Sequence, residues 1–306
     1  MVALCSITPF DAFGDYSLSY TITGAAVDDT FDNPRGVTID SNDRIIVTDT
    51  KNNRVVIFNS DGTYVDQFGS GPGSTDNQFI DPEGVTTDSS DRIIVADSHN
   101  DRIIIFNSNG IYTDKFGDVG NVDEKLRGST GVTTDSNDRI IVADSDHQLI
   151  KIYDKDGTFL SMFGSKRCQL LNAGTPGCSD PDGPTEPLQL GDGQFNYPRS
   201  VTTDSNDRII VADSDNHRIQ IFDSDGTYVG QFGTKGDEDS QFKNPEDVTT
   251  DSSDRIIVAD SRNNRIQIFD TDVLVTLPSS ASGGSSASKH DTRPTFGLDH
   301  KTHTHN

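Results

Sequence analysis

The chain has 306 residues, with 49 Asp and Glu against 25 Lys and Arg, a formal net charge of −24, 31% hydrophobic residues and no Trp. That acidic balance argues against a nucleic-acid-binding role, because phosphates are held by clustered Lys and Arg; it fits a solvated acidic surface, cationic partners or metal ions. There is no run of about 18 apolar residues, so no membrane span is expected.

The N-terminus, MVALCSITPF, has no basic segment and too short an apolar stretch for a signal peptide. Residues 6–23 read as two strands with a turn between them. Ile7, Phe10, Asp11, Gly14, Tyr16 and Tyr20 align with Ile219, Phe222, Asp223, Gly226, Tyr228 and Phe232 at a constant offset of 212 residues.

The first full unit runs from Phe31 to Gly69. Gly36–Asp40 is predicted as strand a and Arg44–Thr48 as strand b, joined by the tight turn Ser41-Asn42-Asp43. A loop at Asp49–Asn53 leads to strand c at Arg54–Asn59. Ser60-Asp61-Gly62 then turns the chain into strand d at Thr63–Phe68, Asp-Gly being a strong hairpin signal.

The phrase Asp-Ser-Asn/Ser-Asp-Arg-Ile-Ile-Val begins at Asp40, Asp88, Asp135, Asp204 and Asp251. The Asp that closes each hydrophobic run falls at Asp49, Asp97, Asp144, Asp213 and Asp260, in steps of 48, 47, 69 and 47 residues. A period of this length built of short strands denotes the blades of a β-propeller. Further blades are expected at 79–117, 126–164 and 195–233. The fifth, from Phe242, keeps strands a to c through Phe269 and offers only Val273–Leu277 as strand d.

The long step reflects an insertion at 165–194, rich in Gly, Pro and Asp and holding Cys168 and Cys178. These cysteines are the candidate disulfide, with free thiols as the alternative; a disulfide would favour an oxidising, extracellular or cell-surface setting. An inserted loop of this kind reads as a lid or recognition element, or as a neutral surface insertion. After Pro278 the sequence SSASGGSSASKH has linker composition. The expected organisation is a propeller over 1–278 and a flexible tail over 279–306, which also reads as the start of a truncated following module. The fold expected is all-β, a propeller on a six-bladed plan, incomplete or open: five blades plus the N-terminal half-blade. A five-bladed ring with an extra hairpin is the alternative.

The pattern Pro-x-Gly-Val-x-x-Asp…Ile-x-Val-Ala-Asp-x-x-Asn-x-Arg-Ile-x-Ile-Phe-Asp-x-Asp-Gly…Phe-Gly, strongest over 197–233, resembles NHL repeats. The resemblance implies a six-bladed propeller that serves as a protein-binding or ligand-binding module. Some relatives bind RNA, some sit on ubiquitin ligases, some are extracellular sensor domains, and a related peptide-amidating lyase uses the same fold with metal-binding His. This chain departs from the pattern in the a–b turn, which carries Asp-Arg (Asp43-Arg44 and its four copies). It departs again in blade 3, where Leu149 stands in place of Arg54, Arg102, Arg218 and Arg265. No RING-type Cys/His cluster is present.

The residues leading into strand a face the central channel in such a plan. Arg35, Glu83, Thr130, Arg199 and Glu246 would ring its mouth, as convergent charged groups do in a concave ligand site, or would neutralise one another as salt bridges. His99, His147 and His217 lie in b–c loops and are the weak candidate metal ligands; three His from separate loops can hold zinc, but these occupy different loop registers. His290, His300, His303 and His305 fall in the tail. The repeated Asp40-x-Asn-Asp set has carboxylates spaced for calcium, yet a copy in every blade fits Asx turns better. Asp213, Asn216 and Arg218 read likewise as a hydrogen-bonded blade corner. No nucleophile elbow, P-loop, dinucleotide fingerprint or HExxH occurs.

The function expected is a non-catalytic scaffold binding a protein, a peptide or a small polar ligand at the channel mouth, with no cofactor; calcium or zinc are the ions its side chains would suit. A metal-dependent lyase or hydrolase is one alternative, and a structural domain of a larger cell-surface protein is another.

Overall fold

A computed structural model describes residues 21–22, 30–118, 124–164 and 191–271. All belong to one unit, Met1–Thr271; a second unit, Asp272–Asn306, lies outside the described residues. All but residues 21–22 of the half-blade expected at 6–23, the cysteines, nearly all of the 165–194 insertion and the strand expected at Val273–Leu277 are also outside them.

Nineteen strands are described, in five antiparallel sheets. Blade 1 is β1 (Pro34–Ile39), β2 (Ile45–Asp49), β3 (Arg54–Phe58) and β4 (Tyr64–Phe68). Blade 2 is β5 (Pro82–Thr87), β6 (Ile93–Asp97), β7 (Arg102–Phe106) and β8 (Tyr112–Phe116). Blade 3 is β9 (Ser129–Thr134), β10 (Ile140–Asp144), β11 (Leu149–Tyr153) and β12 (Phe159–Phe163). Blade 4 is β13 (Pro198–Thr203), β14 (Ile209–Asp213), β15 (Arg218–Phe222) and β16 (Tyr228–Phe232). Blade 5 holds β17 (Pro245–Thr250), β18 (Ile256–Asp260) and β19 (Arg265–Phe269). Each blade is a meander in sequence order, and the a strands β1, β5, β9, β13 and β17 pack in succession. The described blades thus number five, where the repeat reading expects a six-bladed plan.

The local causes are those the repeat suggests. The a–b turn places an Asp at positive φ in every blade, Asp43, Asp91, Asp138, Asp207 and Asp254, a conformation Asp tolerates. The carboxylate that opens the phrase closes the turn: Asp40 Oδ1 accepts the N–H groups of Asn42 and Arg44, and Oδ2 accepts Arg44 Nε at 2.6 Å. All five copies make the same Arg–Asp pair. The carboxylates are therefore turn caps, as the Asx reading expects.

Burial explains why strands b and c are apolar on both faces. Ile46, Val55 and Ile57 of blade 1 meet Val85, Ile93, Val95, Ile104 and Phe106 of blade 2, and equivalent layers join blades 2 to 3 and 3 to 4. Rings reinforce each junction. Phe68, Phe79 and Phe106 form a triad with centroids 4.4–6.3 Å apart, repeated by Phe163, Phe195 and Phe222 and by Phe232, Phe242 and Phe269. Such pairs add roughly 0.5–1.5 kcal/mol each beyond burial of their area.

Candidate functional site: the channel mouth

The corner between strands b and c carries a hydroxyl after its Asp. Thr50, Ser98, Ser145 and Ser214 donate to the carbonyls of Pro82, Ser129, Pro198 and Pro245, the first residue of strand a in the next blade. These bonds set the start of strand a relative to its neighbour. The pairing of a with b then slips register just inside that start, between Pro34 and Val37, Pro82 and Val85, Ser129 and Val132, Pro198 and Ser200, and Pro245 and Asp247. A β-bulge of this kind bends the strand and re-aims the side chain of the extra residue. In blades 4 and 5 the extra residues are Arg199 and Glu246.

As a result Arg35, Glu83, Thr130, Arg199 and Glu246 all line one cavity of about 710 Å³, together with Ser200 and Asp247. Arg35 Nη1 lies 2.7 Å from Glu83 Oε1, so that pair is self-neutralised. The Thr130 hydroxyl donates to the Arg199 carbonyl at 2.6 Å, and Ser200 Oγ donates to Asp247 Oδ1 at 2.6 Å. The half-buried Arg199 guanidinium makes no ion pair or hydrogen bond among the described residues. Ser200 and Asp247 are the second residues of the dipeptides Arg199-Ser200 and Glu246-Asp247 that lead into strand a, which the repeat reading places at the mouth. They stand where blades 1 to 3 have Gly36, Gly84 and Gly131, so the signal was a broken glycine register. Those glycines admit the neighbouring backbone: a Cβ on Gly84 would lie 2.6 Å from the Thr130 carbonyl oxygen.

The structure does not gather the candidate histidines. His99 is exposed, with Nδ1 3.4 Å from Asp81 Oδ2. His147 Nδ1 is 2.9 Å from Asp144 Oδ2. His217 sits at φ 58° as the cap of its loop, where its Nδ1 accepts the Asn244 N–H at 3.1 Å; burial, then the charge of Lys235, holds it below the usual imidazole range. Among the described residues no three His, Cys, Asp or Glu side chains are grouped as a metal site.

The Asp–Asn–Arg set forms the blade corner. Asp213 Oδ2 accepts Arg218 Nε at 2.7 Å and Asn216 Nδ2 at 2.9 Å, while Oδ1 accepts the Asn196 N–H. Burial pushes this carboxyl up, and Arg218 and the N–H donors act the other way. Blade 3 reaches the same end with other residues. Lacking the Arg, it places Lys151 Nζ 2.9 Å from Asp144 Oδ2, fully buried, with His147 in the Asn position. Lys151 also donates to the Lys125 carbonyl. Its sign in the sequence was a cation two residues beyond Leu149, at a position where the other copies carry Val, Ile or Gln.

The NHL repeat family model matches residues 31–58, 79–106, 195–222 and 242–269; blade 3 is not among the matched stretches. Protein brain tumor of Drosophila melanogaster is 51% identical over 49 residues, which cover 16% of this chain and 5% of that protein. The chain therefore matches only a small part of the length of that curated relative. Among solved structures, the nidogen/laminin complex is similar at a TM-score of 0.54 and 18% identity, over 79% of this chain and 77% of that one. Virginiamycin B lyase from Staphylococcus aureus is similar at a TM-score of 0.50 and 16% identity, over 78% and 69%. At such identities the likeness is one of fold. With one blade sequence repeated five times, folded as propeller sheets and matched in four copies by the family model, the chain carries NHL repeats in a β-propeller fold.

Proposed function

We propose that this propeller is a non-catalytic recognition module that binds a carboxylate-bearing protein segment or peptide at the channel mouth. The observation that carries the reading is Arg199, a half-buried cation without a partner among the described residues, on the wall of a cavity of about 710 Å³. A guanidinium held by a bulged strand presents a planar pair of donors to a carboxylate. Glu246 and Asp247 beside it would select against a uniformly acidic ligand and favour one carboxylate flanked by neutral or basic groups. NHL propellers commonly mediate protein interactions, and the similar propeller fold in the nidogen/laminin complex belongs to a protein–protein assembly. The lyase or hydrolase alternative has no comparable support, since His99, His147 and His217 have separate partners in separate loops. No helix among the described residues is long and apolar enough to cross a membrane.

The test is selection from a random peptide display library on the immobilised chain, followed by titration of enriched peptides. Enriched sequences are expected to carry one carboxylate and to bind the Arg199→Ala variant at least about tenfold more weakly. Peptides that bind wild type and variant equally would refute the assignment.

A further inference from the structure

The junctions between successive a strands at the mouth are not built alike. At the first three a glycine stands just inside the strand start, Gly36, Gly84 and Gly131, and a Cβ on any of them would lie within 2.8 Å of the carbonyl oxygen of Glu83, Thr130 or Arg199 in the next blade. Backbone there meets backbone. At the junction of blades 4 and 5 the glycine is replaced on both sides, by Ser200 and by Asp247. Side chains span that junction: Ser200 Oγ donates to Asp247 Oδ1 at 2.6 Å, and the same oxygen accepts the Val248 N–H at 2.9 Å.

Strand pairing differs at the same place. In blades 1 to 3 two residues of strand a have no partner on strand b, those between Pro34 and Val37, Pro82 and Val85, and Ser129 and Val132. In blades 4 and 5 Ser200 and Asp247 pair with Ala212 and Ala259, so that only Arg199 and only Glu246 are left out. These two bulged residues hold matching positions in neighbouring blades. Arg35 and Glu83 hold the same positions at the first junction, and they close on each other at 2.7 Å. Arg199 and Glu246 do not. Neither side chain makes an ion pair or hydrogen bond among the described residues, and both line the cavity. A simple anion that reaches Arg199 is opposed by Glu246 and Asp247, and a simple cation at Glu246 is opposed by Arg199. A group that carries both charges side by side satisfies both and takes the place of the internal salt bridge seen at the first junction.

We propose that the peptide group taken at the mouth is an acidic side chain with a basic neighbour, its carboxylate on Arg199 and its cation on Glu246, and that the Ser200–Asp247 bond is the positioning device that keeps these two charges apart. This rests on the carboxylate-binding reading above and names the second half of its ligand. The first junction supplies the contrast: with glycines at both positions the strand starts meet through backbone, and the Arg and Glu beside them neutralise each other. With Ser200 and Asp247 the junction has a side-chain bridge of its own, one residue inside the bulge, and the charges at the bulge stay available to a ligand. A guanidinium offers the carboxylate two parallel donors, while the Glu246 carboxylate accepts from an ammonium or guanidinium.

The full chain is tested on an array of acetylated, amidated hexapeptides with randomised flanks around a central Glu-Arg, Glu-Lys, Glu-Ala or Ala-Arg pair. Glu-Arg and Glu-Lys peptides are expected to bind at least about tenfold more tightly than Glu-Ala and Ala-Arg peptides, to lose that binding in Arg199→Ala, and to fall to the level of Glu-Ala peptides in Glu246→Gln. Binding that depends on Arg199 but not on the basic neighbour or on Glu246 overturns this inference and leaves carboxylate recognition standing. Absence of any Arg199-dependent binding overturns both. The positioning role is tested by Ser200→Gly/Asp247→Gly, which gives blades 4 and 5 the glycines of blades 1 and 2. Binding is expected to fall at least about tenfold although Arg199 and Glu246 remain. In that background Arg199→Ala is expected to move the Glu246 carboxyl titration, followed by carbon-13 NMR, further than it does in wild type, as a newly closed pair requires. Unchanged binding, or an equal movement in both backgrounds, overturns the positioning role.

Discussion

The corner of blade 2 allows a quantitative test of how this acidic chain tolerates its buried charge. Arg102 is 1% exposed and its Nε donates to Asp97 Oδ2 at 2.7 Å, while its Nη atoms donate to the carbonyls of Ser74, Thr75 and Gln78. Asp97 is fully buried, and burial raises its carboxyl against the opposing pull of the Ile80 N–H, Asn100 and Arg102. Arg102→Ala leaves that carboxylate without its cation and three carbonyls without a donor. The expected cost is about 3–5 kcal/mol, the range for breaking a buried pair from one side. The Arg265–Asp260 corner of blade 5 has the same bond at 2.8 Å and the same three kinds of carbonyl acceptor. Its Arg side chain is 25% exposed, so water can replace it, and Arg265→Ala is expected to cost only about 1–2 kcal/mol. Arg102→Lys should fall between, since an ammonium can reach Asp97 but not all three carbonyls. Urea unfolding followed by far-ultraviolet circular dichroism measures these differences, with constant m-values checking that the same surface unfolds. Equal losses at positions 102 and 265, or less than about 1 kcal/mol for Arg102→Ala, would show that burial does not govern the corner.

Three further outcomes follow from the geometry. Val85→Ala is expected to cost about 1.5 kcal/mol from two lost methyl groups, and Val37→Ala at the same repeat position less than about 0.5 kcal/mol, because it is already exposed; thermal or urea unfolding would contradict this by giving equal values. Gly84→Ala drives a Cβ to 2.6 Å from the Thr130 oxygen and should cost about 1–3 kcal/mol, whereas Gly230→Ala, with nothing within 4 Å, should be near neutral in the same assay. Hydrogen bonds from Ser41 hold Asp91 below its ordinary value of 3.8. A folded-state value below the unfolded one stabilises above the unfolded value and is lost as pH falls through the folded one. The stability difference between wild type and Ser41→Ala should therefore shrink on acidification from about pH 5 to pH 2; a difference independent of pH would refute the assignment.

Much of the blade was legible because its causes are local. An Asp two residues before an amide N–H closes its own turn, and a β-branched run between two sheets needs no partner other than another copy of itself. Hence Asp40-x-Asn-Asp-Arg and the Asp213–Asn216–Arg218 set could be assigned to turn and corner from spacing alone. The lining residues Arg35, Glu83, Thr130, Arg199 and Glu246 could be named from their place before strand a. Their pairing could not. Arg35 and Arg199 occupy equivalent positions, yet one pairs with Glu83 in the next blade and the other makes no ion pair among the described residues. Lys151 was hidden for a similar reason: it restores the charge balance of a corner two residues away from the substitution that disturbed it.

Short-range hydrogen bonding and strand alternation, repeated five times, are sufficient to specify sheet, blade and order of blades, since each interaction spans a few residues or one repeat. The state of the channel and of the end faces belongs to what each repeat position meets across its own blade junction. Identical valines at 37 and 85 differ in exposure, a described blade standing before Val85 but not before Val37, and equivalent arginines at 35 and 199 differ in charge pairing although the next blade carries a Glu at the matching position in both cases. Repetition makes the copies alike locally; position in the succession of blades makes them different, and that difference exists only once the blades are stacked.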